Sequence, residues 1–324
     1  MKKYFFCFLW LSLHFAPAVE VLPAHSLSSV SRHPLYQHLM SQETLAPYQL
    51  NYAGTPLGSQ KAIVLGSFIQ GRKHLTSIDL SACNLEDQEA ELILSSLSHH
   101  TQLQYLNLSI NEISKRAASL LSQLIRHNGK LQYLDLHNNH FTDACLTLLL
   151  ESLKGHPHIG YLELSFNTFH NSSLASLKGV VREGISLKRL AISGIGLTAL
   201  NAVSLLAAVS HNTTITELSL SYNNLSSLGR EIGKMMRMCP NLKKIELVCC
   251  NLSMADFKQI MDELKRDTLP SFNAPLFGWA RSKERRVIHL ALEDSLQNRN
   301  LKEFYKSAKA DAVAIELNIR LGLA

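Results

Sequence analysis

The stretch 131-LQYLDLHNNHF-141 decides how this chain is read, because it stands in the sequence more than once. Twenty-eight residues earlier, 103-LQYLNLSINEI-113 repeats it, and twenty-eight later 159-IGYLELSFNTF-169 does so again. Extending the phase both ways gives segments beginning at Leu75, Leu103, Leu131, Ile159, Leu187, Ile215 and Leu242. Each reads L-x-x-L-x-L-x-x-N/C-x-L. Position four is Ile78, Leu106, Leu134, Leu162, Leu190, Leu218 and Ile245. Position nine is Cys83, Asn111, Asn139, Asn167, Ile195, Asn223 and Cys250. A fixed period with short apolar alternation is the mark of stacked structural units.

The second half of each unit changes period. Ala118, Leu121 and Ile125, or Leu146, Leu149 and Leu153, recur at i, i+3 and i+7, one face of a helix. A weaker unit starts at Pro47, with Leu57 and then Ala62, Leu65 and Ile69. About eight units are therefore expected over 47–268. Ile195, between Gly194 and Gly196, departs from the position-nine pattern and predicts an irregular turn or a site of altered curvature.

These columns resemble the leucine-rich repeat family, in its 28-residue ribonuclease-inhibitor-like class, over roughly two thirds of the chain. The resemblance implies an α/β solenoid: a curved horseshoe with a parallel sheet on the concave face and helices on the convex one. A single strand and helix cannot bury an apolar face, whereas stacked units share a continuous core. The position-nine Asn suits a buried amide bonding neighbouring backbone, and Cys suits the same place as a compact, weakly polar substitute.

The chain has 324 residues, 46% hydrophobic and 18% charged, with a net charge of +6. That is the balance of a folded protein. The charge is too mild and dispersed to argue for nucleic acid. The N-terminus, 1-MKKYFFCFLWLSLHFAPA-18, has two lysines, an apolar run and an Ala-Pro-Ala end. This is the order of a secretory signal peptide over 1–18, too short for a stable membrane span. The later cysteines, Cys83, Cys145, Cys239, Cys249 and Cys250, are odd in number and fit no metal spacing. They read as buried thiols. Residues 19–46 form an N-terminal flank. Residues 269–324 read as a poor strand followed by a helical cap, with Leu301, Phe304, Tyr305, Ala308, Ala312, Ile315 and Ile319 along one helix. Within it, residues 281–324 carry nine Lys/Arg against six Asp/Glu, which offers a basic docking module as the alternative.

Function must lie on a face. Side chains alternate across a strand, so positions three and five point away from the core. Position three places Tyr105, Tyr133 and Tyr161 on adjacent strands, and position five adds Asp135 and Glu163. Phe166 and Tyr222, at position eight, bring aromatic area to the rim. Tyrosine is a favoured interface anchor, and the acidic column suits a protein partner with a basic, partly apolar patch. These seven residues are the candidate partner-binding site. No catalytic residue, metal or cofactor is expected. His137 and His140 lie where the strand ends, while His156 and His158 precede the next strand, so the two pairs do not converge. Phosphate-loop and nucleophile-elbow motifs are missing, and no cysteine follows Cys250 to serve a ligase domain. Asn-x-Ser/Thr sequons stand at Asn107, Asn171, Asn212, Asn224 and Asn251. The reading is a non-enzymatic binding protein, similar to secreted bacterial leucine-rich repeat effectors that act on a host protein. A GTPase regulator of activator type, or a cytoplasmic sensor or inhibitor, is the alternative.

Overall fold

A computed structural model describes residues 30–43, 48–184, 186–265, 287–293 and 314–320. The leader, the proposed strand at Leu269–Ala274 and the helical residues from Leu301 to Ala312 lie outside them. The described chain alternates short strands and helices. The strands are β1 (Gln49–Asn51), β2 (Ser77–Asp79), β3 (Tyr105–Asn107), β4 (Tyr133–Asp135), β5 (Tyr161–Glu163), β6 (Arg189–Ala191), β7 (Glu217–Ser219), β8 (Lys244–Glu246), β9 (Val287–Glu293) and β10 (Ala314–Arg320). The helices are α1 (Pro34–Glu43), α2 (Ser59–Gln70), α3 (Asp87–Ser96), α4 (Lys115–His127), α5 (Asp143–Leu153), α6 (Asn171–Glu183), α7 (Ala199–Ser210), α8 (Gly229–Met238) and α9 (Met254–Lys265). The strands form one open parallel sheet in chain order.

The repeat places equivalent residues opposite one another. Leu106, Leu134 and Leu162 pair in register, as do Tyr105, Tyr133 and Tyr161. The position-four side chains from Ile78 to Ile245 are all buried. They meet the apolar stripes of the helices, for example Ala117, Ala118, Leu121, Leu124 and Ile125 of α4. Strands lie about 4.8 Å apart and packed helices about 8–10 Å apart. Repeating both spacings bends the stack, with the sheet on the inside of the curve.

Two polar spines run through this core. At position nine, Asn111 donates to the carbonyls of Leu80 (2.9 Å) and Leu108 (3.0 Å), and its oxygen accepts from the backbone of Cys83 and Leu85. Asn139 and Asn223 repeat the arrangement. Cys250 fills the same place by donating its thiol to the Leu220 carbonyl, 3.3 Å away. Burial pushes that thiol up to about 12, and Cys83 up to about 11, so both stay protonated donors. The second spine was not foreseen. Three residues before six of the seven units stand Arg72, His100, Asn128, His156, Asn212 and Cys239, all buried; Gly184 holds the place before the unit at Leu187. Asn128 donates to the His100 carbonyl, and His156 Nε2 donates to the Asn128 carbonyl at 2.8 Å. His156 Nδ1 accepts from the backbone of Ile159 at 3.2 Å, which fixes its neutral tautomer.

The irregular turn expected at Ile195 is not found. Position eight adopts a left-handed backbone in every unit from β2 to β8, and Gly194 (φ 59°) takes that place like Phe166 (57°) and Tyr222 (58°). The Gly194 N–H still bonds the Ser221 carbonyl, 2.8 Å away. Ile195 is simply buried. What changes there is the amide spine, which lacks a member for one unit.

The C-terminus departs from the helical reading. Val287–Glu293 and Ala314–Arg320 are strands, paired in register with each other and, through β9, with β8. Leu290 and Leu317 continue the position-four row of Ile245. The reason is visible in the residues: Ile288, Leu290 and Leu292, and Ile315, Leu317 and Ile319, alternate with period two.

Candidate functional site

The three tyrosines are brought together as expected, and more tightly than the strand spacing alone demands. Tyr105 and Tyr133 stack with ring centroids 4.2 Å apart and planes at 16°, and Tyr133 and Tyr161 at 4.0 Å and 14°. All three are half-buried. Burial raises each phenol above its ordinary range, so the column is neutral and each hydroxyl can donate. The rings shield one another's faces, which accounts for their half-burial.

The acidic column does a different task from the one its charge suggested. Asp135 is only 6% exposed. Its Oδ1 accepts from the backbone N–H (3.1 Å) and the Nδ1 (2.9 Å) of His137, and its Oδ2 from the Tyr133 hydroxyl (3.3 Å). Asp79 and Asn107 bind the backbone and hydroxyl of Ser81 and Ser109 in the same way. Glu163 accepts from the Ser165 backbone at 3.0 Å, and burial raises its carboxyl above the usual range. Position five therefore ties down the strand exit through position seven. The signal was present in the sequence as a column of Ser81, Ser109, His137, Ser165, Ser193 and Ser221. The hydrogen bond that His137 donates to Asp135 raises His137 above its ordinary 6.5, against the effect of burial.

Beyond Tyr161 the character changes. The Arg189 guanidinium lies over the Tyr161 ring, 5.0 Å from its centroid, and pairs with Glu217 at 3.1 Å. Lys244 pairs with Glu246 at 2.7 Å. At the rim, Phe166 and Tyr222 are 46% and 55% exposed with centroids 5.6 Å apart. A Cβ on the intervening Gly194 would meet the Phe166 ring at 2.7 Å. The absence of a side chain there is what lets the two aromatics approach across two units.

The histidine pairs do not meet. His137 is held by Asp135, and His156 belongs to the buried spine. Among the described residues, no group of three or more His, Cys, Asp or Glu could hold a metal ion, and no helix is long and apolar enough to cross a membrane. Of the sequons, Asn107 and Asn212 are buried, while Asn224 and Asn251 are exposed.

Family models agree with the repeat. One described as "Leucine Rich Repeat" matches residues 130–155, and another described as "Leucine Rich repeat" matches residues 211–231. No curated protein matches the chain. One matching solved structure is described as "Leiomodin-1 Actin-Binding Site 2 (ABS2)". It is 15% identical, covers 46% of this chain and 87% of its own, and has a TM-score of 0.39. Proteins built from this repeat commonly bind other proteins. With two of its own units matched and its parallel strands alternating with helices in one open sheet, the chain has the fold of a leucine-rich repeat protein.

Proposed function

We propose that this chain is a non-enzymatic protein-binding module that docks a partner on the tyrosine half of its sheet face. The carrying observation is the stack of Tyr105, Tyr133 and Tyr161. Three large side chains share one column, stack in pairs and stay half-exposed on the sheet face. Such anchors lose little freedom on binding and combine apolar area with a hydrogen-bond donor. Phe166 and Tyr222 extend the apolar surface at the rim.

The 28-residue step supports the ribonuclease-inhibitor-like class of the repeat. The lysine-flanked apolar leader supports export, and the buried thiols at Cys83, Cys145 and Cys250 suit a reducing destination. Together they favour a secreted bacterial effector acting on a host protein. The mass of the exported chain checks this: a start at Val19 is expected, and a retained Met1 would count against cleavage.

The binding surface is tested with the folded chain as bait in host lysate, alongside a variant with Tyr105, Tyr133 and Tyr161 all changed to Ala. Wild type should retain a partner that the triple variant loses, while circular dichroism shows both folded. Equal retention by a folded triple variant would place binding elsewhere.

A further inference from the structure

The tyrosine stack has two ends, and among the described residues only one of them is covered. At the Tyr161 end, position three of the next unit is Arg189. Its guanidinium covers the ring and is held by a carboxylate, Glu217, 3.1 Å away. At the other end, the residue in register with Tyr105 is Ser77. Its side chain is too short to cover a ring, and among the described residues no ring or cation lies over that outer face of Tyr105. A carboxylate is nevertheless in place. Asp79 Oδ2 lies 3.4 Å from the Tyr105 hydroxyl and 3.3 Å from Asn107 Nδ2, two long contacts that leave it acceptor capacity. Its Oδ1 is committed to Ser81. The first end shows with the chain's own side chain what the second end lacks: a planar cation between a tyrosine face and an acid.

We propose that the Tyr105 end, with Asp79 and the space above Ser77, receives an arginine side chain of the protein partner. This rests on the sheet face being the docking surface and names the chemistry that engages it. Guanidinium suits the site better than ammonium, because it is planar, stacks on a ring and bonds a carboxylate at its edge. The partner segment is accordingly basic at this position, in keeping with the half-exposed carboxylate of Asp79.

The test uses the full chain and three blocked, amidated tripeptides, Gly-X-Gly, in which X is arginine, lysine or citrulline. Citrulline keeps the shape of arginine and removes its charge. Titration followed by nuclear magnetic resonance of labelled tyrosine rings should show saturable binding of the arginine peptide, with the largest shift at Tyr105. The citrulline peptide should bind at least about tenfold more weakly, and lysine should fall between. Ser77→Arg should supply the missing guanidinium from within the chain and abolish peptide binding. Asp79→Asn retains the oxygen that holds Ser81 and should weaken binding about fivefold or more. Equal binding of arginine and citrulline would overturn the proposal, as would full binding by the folded Ser77→Arg and Asp79→Asn chains. If those two chains also keep a macromolecular partner that the triple tyrosine variant loses, the docking surface stands and only the arginine assignment fails.

Discussion

The sheet face divides at Tyr161. On the side of β3 to β5, position three is filled by rings that stack on one another, and the acids beneath are bound to backbone and to His137. On the side of β6 to β8, position three is Arg189, Glu217 and Lys244, and the charges meet one another. The same strand template carries both. The difference lies in what is left for a partner. Ion pairs in water neutralise themselves, and disrupting them for a partner gains little. A tyrosine stack satisfies its faces, and its hydroxyls make only long bonds to Asp79 and Asp135. The rings stay half-exposed on a backbone fixed by the units on either side. One repeat can thus present a half suited to the proposed docking and a self-contained half without altering its core.

The largest effect should come from attacking what the halves share. Leu134 is fully buried between β3 and β5. Leu134→Asp places an unpaired carboxylate there, at a cost of several kcal/mol. Circular dichroism should show both halves lost in one transition. A wild-type melting curve would mean that the repeat phase is wrong, and loss of one half alone would mean that the halves do not share a cooperative core.

Next in size is removal of the stack itself. Each aromatic pair contributes about 0.5–1.5 kcal/mol beyond the area that it buries. The two pairs of Tyr105, Tyr133 and Tyr161 should then account for about 1–3 kcal/mol of stability. A repeat protein of this length should register that as a fall in Tm of several degrees in thermal melts. The corresponding change on the other half, Arg189→Ala with Glu217→Ala, removes a half-exposed pair and should cost about 0–1 kcal/mol. Equal costs would erase the contrast between the halves.

Much of this was legible in the sequence because the repeat states each signal many times. One Leu134 proves little; seven aligned residues from Ile78 to Ile245 fix strand, face and register together. The tyrosine column followed from the same alignment. What was not legible depended on partners from neighbouring units. Asp135 reads as a surface charge until His137 and Tyr133 are seen to enclose it. His156 reads as half of a surface pair until the Asn128 carbonyl, 28 residues away, is found on its Nε2. The C-terminal strands were missed for another reason. The helical spacing from Leu301 runs on into Ile315 and Ile319, and a short apolar segment fits both periods. Register with β8, which no single segment contains, decides between them.

The third prediction concerns the core under both halves. Burial lowers His100 and His156 below their ordinary 6.5. The unfolded chain then binds protons that the folded chain refuses. Stability is full above about pH 6.5 and declines as pH falls below it, by at most about 1.4 kcal/mol per pH unit for each histidine. Asp143, held down at about 2 despite its burial by hydrogen bonds from Ser172, Ser173 and His170, adds a loss at lower pH in the same direction. Asn fills the His156 column in two other units: Asn128 donates to the His100 carbonyl and accepts from the Lys130 N–H, and Asn212 donates to the Val181 carbonyl and accepts from the Ile215 N–H. His156→Asn should therefore fold and flatten the decline between pH 7 and 5 in urea titrations. An unchanged slope would remove His156 from the explanation.

The smallest effect separates the halves by pH rather than by mutation. His137 lies in the tyrosine half and is raised above 6.5 by its hydrogen bond to Asp135. The sign is opposite to that of the buried histidines. A folded-state pKa above the unfolded value adds stability that is complete below about pH 6.5 and is lost as pH rises through the folded pKa. Burial of Glu163 works in the same direction, since its penalty appears as the carboxyl ionises. On the other half, although burial opposes it, Arg189 is raised further above this range by Tyr161 and Glu217, and Glu246 is held below the usual carboxylate range: burial opposes this, but bonds from Lys244 and Ser219 prevail. Raising pH from 6 to 8 should therefore shift ring resonances of Tyr133 and leave the Arg189 guanidinium unmoved. The stability change should stay within about 1 kcal/mol, as for other partly exposed pairs. Asp135→Asn should return the His137 titration toward 6.5 and suppress the Tyr133 response. A His137 that titrates at 6.5 in the wild-type chain would show that Asp135 does not hold it in solution, and the enclosed acid of the tyrosine half would become available to a partner.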